Sequence, residues 1–182
     1  MIIAGVIIFI IIIYLLAKYN GLVKLRNKVK QAESGIEVYL KQRFDLIPNL
    51  VECVKAYTKY ESEVFENIIK LRTEYNNSKD VDLKQAEELN NGINKIMAVA
   101  EGYPELKASE QYLNLQKNLT KIESQLQAAR RIYNTEVTTY NTKLETIPTN
   151  IVAGIFGFKK ADLFQIEEAQ KENIDVKKLM EE

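Results

Sequence analysis

The chain has 182 residues, and its 25 basic and 25 acidic side chains cancel to a formal charge of zero, which argues against nucleic acid as the main partner because phosphates demand a basic surplus. It has no histidine and one cysteine, Cys53. That removes Ser-His-Asp and Cys-His nucleophiles, HExxH zinc sites, the Glu-x-x-His pairs of di-iron bundles, phosphohistidine relays and any intrachain disulfide.

Gly and Pro are scarce while Lys, Glu, Gln, Leu and Ile abound, which favours long helices over sheet. The first charged side chain is Lys18, and Ile2–Ala17 holds eight Ile, two Leu, one Val and one Phe. Near a helix centre such residues favour insertion by roughly 0.3–0.6 kcal/mol each, so the run is worth at most about 4–7 kcal/mol. Seventeen helical residues cover about 25 Å, short of a hydrocarbon core of roughly 30 Å. Lys18 can snorkel, and Tyr19, Leu22 and Val23 extend the apolar surface into the interface. A cleaved signal peptide would need a basic leader and a small-x-small cleavage site, and Leu15-Leu16-Ala17-Lys18 is a poor one. The segment 1–18 therefore reads as an uncleaved transmembrane anchor. Lys18, Lys24, Arg26, Lys28 and Lys30 precede the first acidic residue, Glu33. Such a basic flank favours the cytoplasmic side and places the amino terminus outside.

From Leu22 the apolar residues step by three and four through Leu25, Val29, Ala32, Ile36, Leu40, Phe44, Ile47, Val51 and Val54, the spacing of one helix face packed on a partner. Lys24, Lys28, Gln31 and Gln42 fall on the wet side. The stripe continues through Tyr57, Tyr60 or Glu61, Val64, Ile68, Leu71 and Tyr75, and Asn76-Asn77-Ser78-Lys79-Asp80 is a turn cluster. Pro48 interrupts it, either kinking one long helix or separating two in a tight hairpin; burial of both faces tips the reading toward the hairpin. A second helix starts near Asp82, with Gln85 completing a capping box. Its face is Ala86, Leu89, Ile93, Ile96 or Met97, and Ala100. Gly92 weakens it, and Gly102 with Pro104 ends it. Ser109 caps the last long helix, whose stripe runs Leu115, Leu119, Ile122, Leu126, Ala129, Tyr133, Val137, Tyr140, Leu144, Ile147 up to Pro148. Asn150–Phe158 is apolar, punctuated by Gly and too short to span a membrane. It either folds back to plug the bundle end or lies on the bilayer beside the anchor, with Ile155, Phe156 and Phe158 as the interfacial candidates. The charged tail 159–182 reads as a loosely held helix or disorder. The fold expected is all-α: a transmembrane helix followed, over 19–158, by an antiparallel four-helix bundle with long helices.

Candidate sites are few. Arg130 and Arg131 form an adjacent pair suited to a phosphate or an acidic partner, although such residues more often pair with a carboxylate on their own surface, here Glu123 or Glu136. Arg43 and Asp45 are expected to bond backbone groups freed around Pro48. Cys53 neighbours core positions and reads as a small buried thiol rather than a nucleophile. Tyr-Asn recurs at Tyr19-Asn20, Tyr75-Asn76, Tyr133-Asn134 and Tyr140-Asn141. A ring in the core with its hydroxyl at the rim is ordinary packing, and the stripe already requires the heptad between the last two pairs.

Several blocks in fixed order resemble one family, LemA, bacterial membrane-associated proteins. They are Tyr19-Asn20-x-Leu22-Val23; Leu40-Lys41-x-Arg43-x-Asp45-Leu46-Ile47-Pro48-Asn49-Leu50-Val51; Ala98-Val99-Ala100-Glu101-x-Tyr103-Pro104-Glu105-Leu106-Lys107-Ala108; Ala128-Ala129-Arg130-Arg131-x-Tyr133-Asn134; and Ile155-Phe156-Gly157-Phe158. The likeness covers nearly everything after the anchor, with the final tail outside the pattern. It implies one anchor, amino terminus outside, in a bacterial cytoplasmic membrane, an antiparallel helical bundle, and no established enzymatic activity; no cofactor is expected. Arg43, Asp45, Pro48, Asn49, Arg130, Arg131, Tyr133 and Asn134 are then motif residues with structural or partner-binding roles. The functional expectation is a non-catalytic scaffold whose partners are the lipid bilayer and other proteins, a homo-oligomer among the options. The alternative is membrane remodelling or lipid sensing through Ile151–Phe158. Fold likeness alone supplies no function.

Overall fold

In the computed structural model, residues 2–58, 62–78 and 83–164 are described, and every regular element among them is a helix. Helix α1, Ile2–Phe44, is long because no proline precedes Pro48, and Gly5, Gly21 and Gly35 stand in open space where they cost only propensity. Asp45 N–H still donates to Lys41 O at 2.9 Å and Leu46 N–H to Arg43 O at 3.2 Å. Leu46 keeps right-handed helical dihedrals (φ −81°, ψ −14°), and α2, Ile47–Lys55, starts at once with Pro48 in its first turn, where a missing N–H is harmless. Two helices result, but a two-residue break redirects the chain where a reversing hairpin was expected. Helix α2 then packs on α3 and α4.

The stripe expected to run on through Tyr57 and Val64 does not. Thr58 closes α2, its N–H and Oγ both donating to Val54 O at 3.0 Å. Helix α3, Ser62–Asn77, restarts in a new phase, so Phe65 is 2% exposed and Val64 40%; Tyr57 lies outside. Tyr60, Glu61, Lys79, Asp80 and the proposed Asp82 cap fall outside the described residues. Ile68 and Tyr75 are buried as expected, and Ser78 Oγ donates to Tyr75 O at 2.8 Å at the helix end.

Helix α4, Leu83–Glu101, buries Ala86, Leu89, Ile93, Ile96 and Ala100, the face its periodicity requires. Gly92 is where it meets α3: a Cβ there would stand 3.1 Å from Ile68 Cγ1. Pro104 opens an additional short helix, α5, Pro104–Ala108, whose Leu106 is fully buried. Helix α6, Glu110–Glu145, is capped as expected, Tyr112 N–H donating to Ser109 Oγ at 3.2 Å. Its stripe holds from Leu115 to Leu144 but not to Ile147, which is 77% exposed beyond the helix end. Helix α7, Thr149–Ile155, follows.

The chain divides into two compact units. In the first, residues 1–29 with 133–182, the core is Leu22 and Val29 of α1, Val137, Tyr140 and Leu144 of α6, and Val152 and Ala153 of α7, with Leu15, Tyr19, Leu25, Tyr133, Phe158 and Ala161 packed around it. The second, Lys30–Ile132, contains the remainder of α1 and α6 with all of α2 to α5. Its fully buried side chains include Phe44, Ile47, Leu50, Leu89, Ile93, Ile96, Leu106 and Leu126.

Candidate functional site

Among the described residues no group of His, Cys, Asp and Glu is arranged to hold a metal ion. Cys53 is buried; burial pushes its thiol pKa up, partly opposed by a hydrogen bond with Ser109. A protonated, enclosed thiol is a poor nucleophile.

The first feature built for a partner is the start of α1. It is long and apolar enough to cross a membrane, and none of its most apolar stretch is buried. Ile2, Ile3, Val6, Ile7, Ile8, Phe9 and Ile10 through Ile13 all stand exposed. At its polar end Lys18 Nζ lies 5.2 Å from the Tyr14 ring centroid, and the Arg26 guanidinium lies 5.4 Å from that of Phe158, both within cation–π range. Lys24, Lys28 and Lys30 are exposed.

The motif arginines separate. Arg43 pairs with Glu123 of α6, and Asp45 accepts from Arg72 of α3 at 2.6 Å. Both reach side chains on other helices, not the backbone groups around Pro48 expected to hold them, because the break there satisfies most of its own donors. Burial, then the nearby charge of Arg130, lowers the Arg43 pKa, and burial lowers that of Arg130. Arg43, paired with Glu123, therefore lies close enough to Arg130 to feel its charge, and Arg131 is exposed. Pro48 is half-buried and Asn49 exposed.

The Tyr-Asn doublets of α6 do more than pack. Asn134 donates from Nδ2 to Phe164 O at 3.0 Å and accepts the Phe164 N–H on Oδ1 at 2.8 Å. Asn141 does the same with Ala161, at 2.8 and 3.0 Å. The Tyr133 hydroxyl donates to Asp162 O and the Tyr140 hydroxyl to Lys159 O, each at 3.0 Å. Residues 159–164, without regular secondary structure of their own, are thus laced along α6. The repeated doublet was the visible signal; what it binds was not, because the segment it holds carries no pattern.

Helix α7 has two faces. Val152 and Ala153 enter the core, whereas Ile151 (58%), Ile155 (68%) and Phe156 (54%) are exposed beside Ile147. Tyr19 anchors the segment on α1, its ring centroid 4.8 Å from that of Phe156 and 5.7 Å from that of Phe158. The exposed apolar face is thereby fixed next to the end of the apolar run, where Leu15 and Tyr19 pack on the same core.

Comparison with known proteins agrees with the block pattern from Leu40 onward. The LemA family model matches residues 32–177, reaching into the tail that was expected to lie outside the pattern. The chain is 29% identical to Protein LemA of Metamycoplasma hominis, over 88% of this chain and 74% of that protein. It is 26% identical to Magnetosome protein MamQ 2 of Paramagnetospirillum magneticum, over 83% of this chain and 66% of the relative. It is 23% identical to Magnetosome protein MamQ of Magnetospirillum gryphiswaldense, over 82% of this chain. The chain spans just under two thirds of the MamQ proteins it matches.

Proposed function

The chain belongs to the LemA family, and from that premise we propose that it is a single-pass, non-catalytic scaffold of a bacterial cytoplasmic membrane, amino terminus outside and helices in the cytoplasm. The observation that carries this reading is the wholly exposed apolar start of α1 ending in a purely basic flank. Such a surface is stable only in lipid or against other apolar helices. The absence of histidine from the sequence and the inert environment of Cys53 support a binding role over a catalytic one. Alkaline extraction of native membranes tests the anchor: the chain stays in the pellet, and release into the supernatant refutes it. Protease added to spheroplasts spares everything after Lys18, and cleavage there reverses the orientation. In-membrane crosslinking recovers reproducible protein partners, this chain itself among the candidates; recovery of monomer alone under all conditions refutes the scaffold.

A second reading has its own observation. Ile147, Ile151, Ile155 and Phe156 are all exposed, and Phe156 packs on Tyr19 at the anchor's polar end, which suits an interfacial segment sensing or reshaping lipid. Together they leave about two and a half large side chains' worth of surface to solvent, so full burial would contribute roughly 4–8 kcal/mol. A spin label on Ile151→Cys, in a Cys53→Ala background in proteoliposomes, reports contact with lipid if molecular oxygen reaches it better than a water-soluble nickel complex. The opposite order removes this reading and leaves the scaffold intact.

A further inference from the structure

The lacing of residues 159–164 onto α6 has a register that repeats. Tyr140 holds residue 159 and Tyr133 holds residue 162; Asn141 holds residue 161 and Asn134 holds residue 164. In both series one heptad down the helix matches three residues up the extended segment. The lengths explain it. Seven helical residues rise about 10.5 Å, and three extended residues cover about 10 Å. An α-helix bearing Tyr-Asn once per heptad therefore meets an extended chain in step.

All six hydrogen bonds of the ladder go to main chain. Each asparagine both donates to the carbonyl and accepts the N–H of one residue, which is how two residues pair in a hydrogen-bonded rung of an antiparallel sheet. Each tyrosine donates to a carbonyl. The side chains of Lys159, Lys160, Asp162 and Leu163 are exposed, Lys160 pairing with Glu145 at the surface, and that of Ala161 packs at the edge of the core. Nothing in these six bonds distinguishes one side chain from another; the segment is held here because it is tethered nearby, at high effective concentration. Gly157, the one residue with positive φ (68°) among those described, sits just before it, where the backbone turns out of α7 in a conformation open to glycine.

We propose that the Tyr133-Asn134 and Tyr140-Asn141 ladder is a peptide-binding site that reads extended main chain regardless of sequence. In this structure the chain's own residues 159–164 fill it; in trans it takes an extended segment of another polypeptide bearing free N–H groups three residues apart. The internal segment acts as a competitor that such a partner displaces. This assignment does not depend on the membrane reading.

The test uses the full chain in detergent micelles. Ala161→Pro with Phe164→Pro removes both N–H groups that the asparagines accept and leaves the ladder intact. Three fluorescent hexapeptides are compared by anisotropy: the sequence of residues 159–164, a shuffled order, and the native order N-methylated at the alanine and phenylalanine. Native and shuffled peptides bind the double-proline chain equally, at least tenfold more tightly than they bind the unsubstituted chain. The methylated peptide does not bind, and adding Asn134→Ala with Asn141→Ala abolishes binding of the native and shuffled peptides. Failure of the double-proline chain to bind, equal binding of the methylated peptide, or binding of the native order alone overturns the proposal. Should the proline variant not fold, amide hydrogen exchange in the unsubstituted chain decides. Excess shuffled peptide speeds exchange at Ala161 and Phe164 if the site is shared, and unchanged exchange overturns it.

Discussion

Replacing Gly92 by alanine sets two opposed effects against each other at the α3–α4 crossing. Alanine is preferred over glycine inside a helix by about 0.8–1.0 kcal/mol, so a substitution into free space would stabilise α4. At this position the new methyl would stand 3.1, 3.2 and 3.3 Å from Cγ1, Cδ1 and Cγ2 of Ile68, closer than the roughly 3.5–4.0 Å of an ordinary carbon contact. Two of those atoms are bonded directly to the Ile68 Cβ, and a β-branched residue in a helix has one strongly preferred χ1, so rotation gives little relief. Overpacking of this kind costs about 1–3 kcal/mol, which outweighs the propensity gain. Gly92→Ala is therefore expected to destabilise by about 1 kcal/mol in urea titrations followed by circular dichroism in one detergent. Ile68→Ala removes all three obstructing atoms and itself costs about 2–5 kcal/mol; in that background Gly92→Ala stabilises by up to about 1 kcal/mol. The change of sign is the diagnostic. A stabilising Gly92→Ala in the unsubstituted chain, or the same loss in both backgrounds, refutes the reasoning.

Ser109→Ala removes the hydroxyl that caps α6 and lowers stability by about 1 kcal/mol, seen as a lower urea midpoint. Glu123→Gln leaves Arg43 beside Arg130 without the carboxylate it pairs with; the loss is about 1–3 kcal/mol, less than for a fully enclosed pair because Glu123 is 31% exposed, and adding Arg130→Met recovers part of it. Alkaline pH destabilises the fold. Burial raises the pKa of Cys53 above 9.0 and of Tyr112 and Tyr140 above 10.0, so the unfolded chain loses these protons first and stability, complete below about pH 8, falls as pH rises through 9 and beyond. Cys53→Ala and Tyr112→Phe flatten that slope in melts across pH. Asn134→Ala with Asn141→Ala releases residues 159–164, and trypsin then cuts after Lys159 and Lys160 at least tenfold faster while α4 and α6 stay intact.

Much of this architecture was legible from apolar spacing alone. The face of α4, the Ser109 cap and most of the α6 stripe follow directly from the positions of Leu89, Ile93, Leu126 and Val137. Periodicity failed where the helix ended without an obvious punctuation residue. After the turn beyond Lys55 the buried face takes Phe65 in place of Val64 while keeping Ile68 and Tyr75. Gly92 could be read only as a weak helix former, because its closeness to Ile68 is a property of two helices and not of either sequence. The ladder was half visible. Its heptad repeat stood in the sequence, but asparagine side chains reading a backbone leave no trace in the residues they read.

Holding Phe164 against Asn134 also decides where the rest of the polypeptide sets out. Asn134 lies eleven residues before the end of α6 at Glu145, about 16 Å along the helix axis, while α7 and Tyr19 occupy the end nearest the apolar run. The chain therefore leaves Phe164 some three helical turns back along α6 from that end.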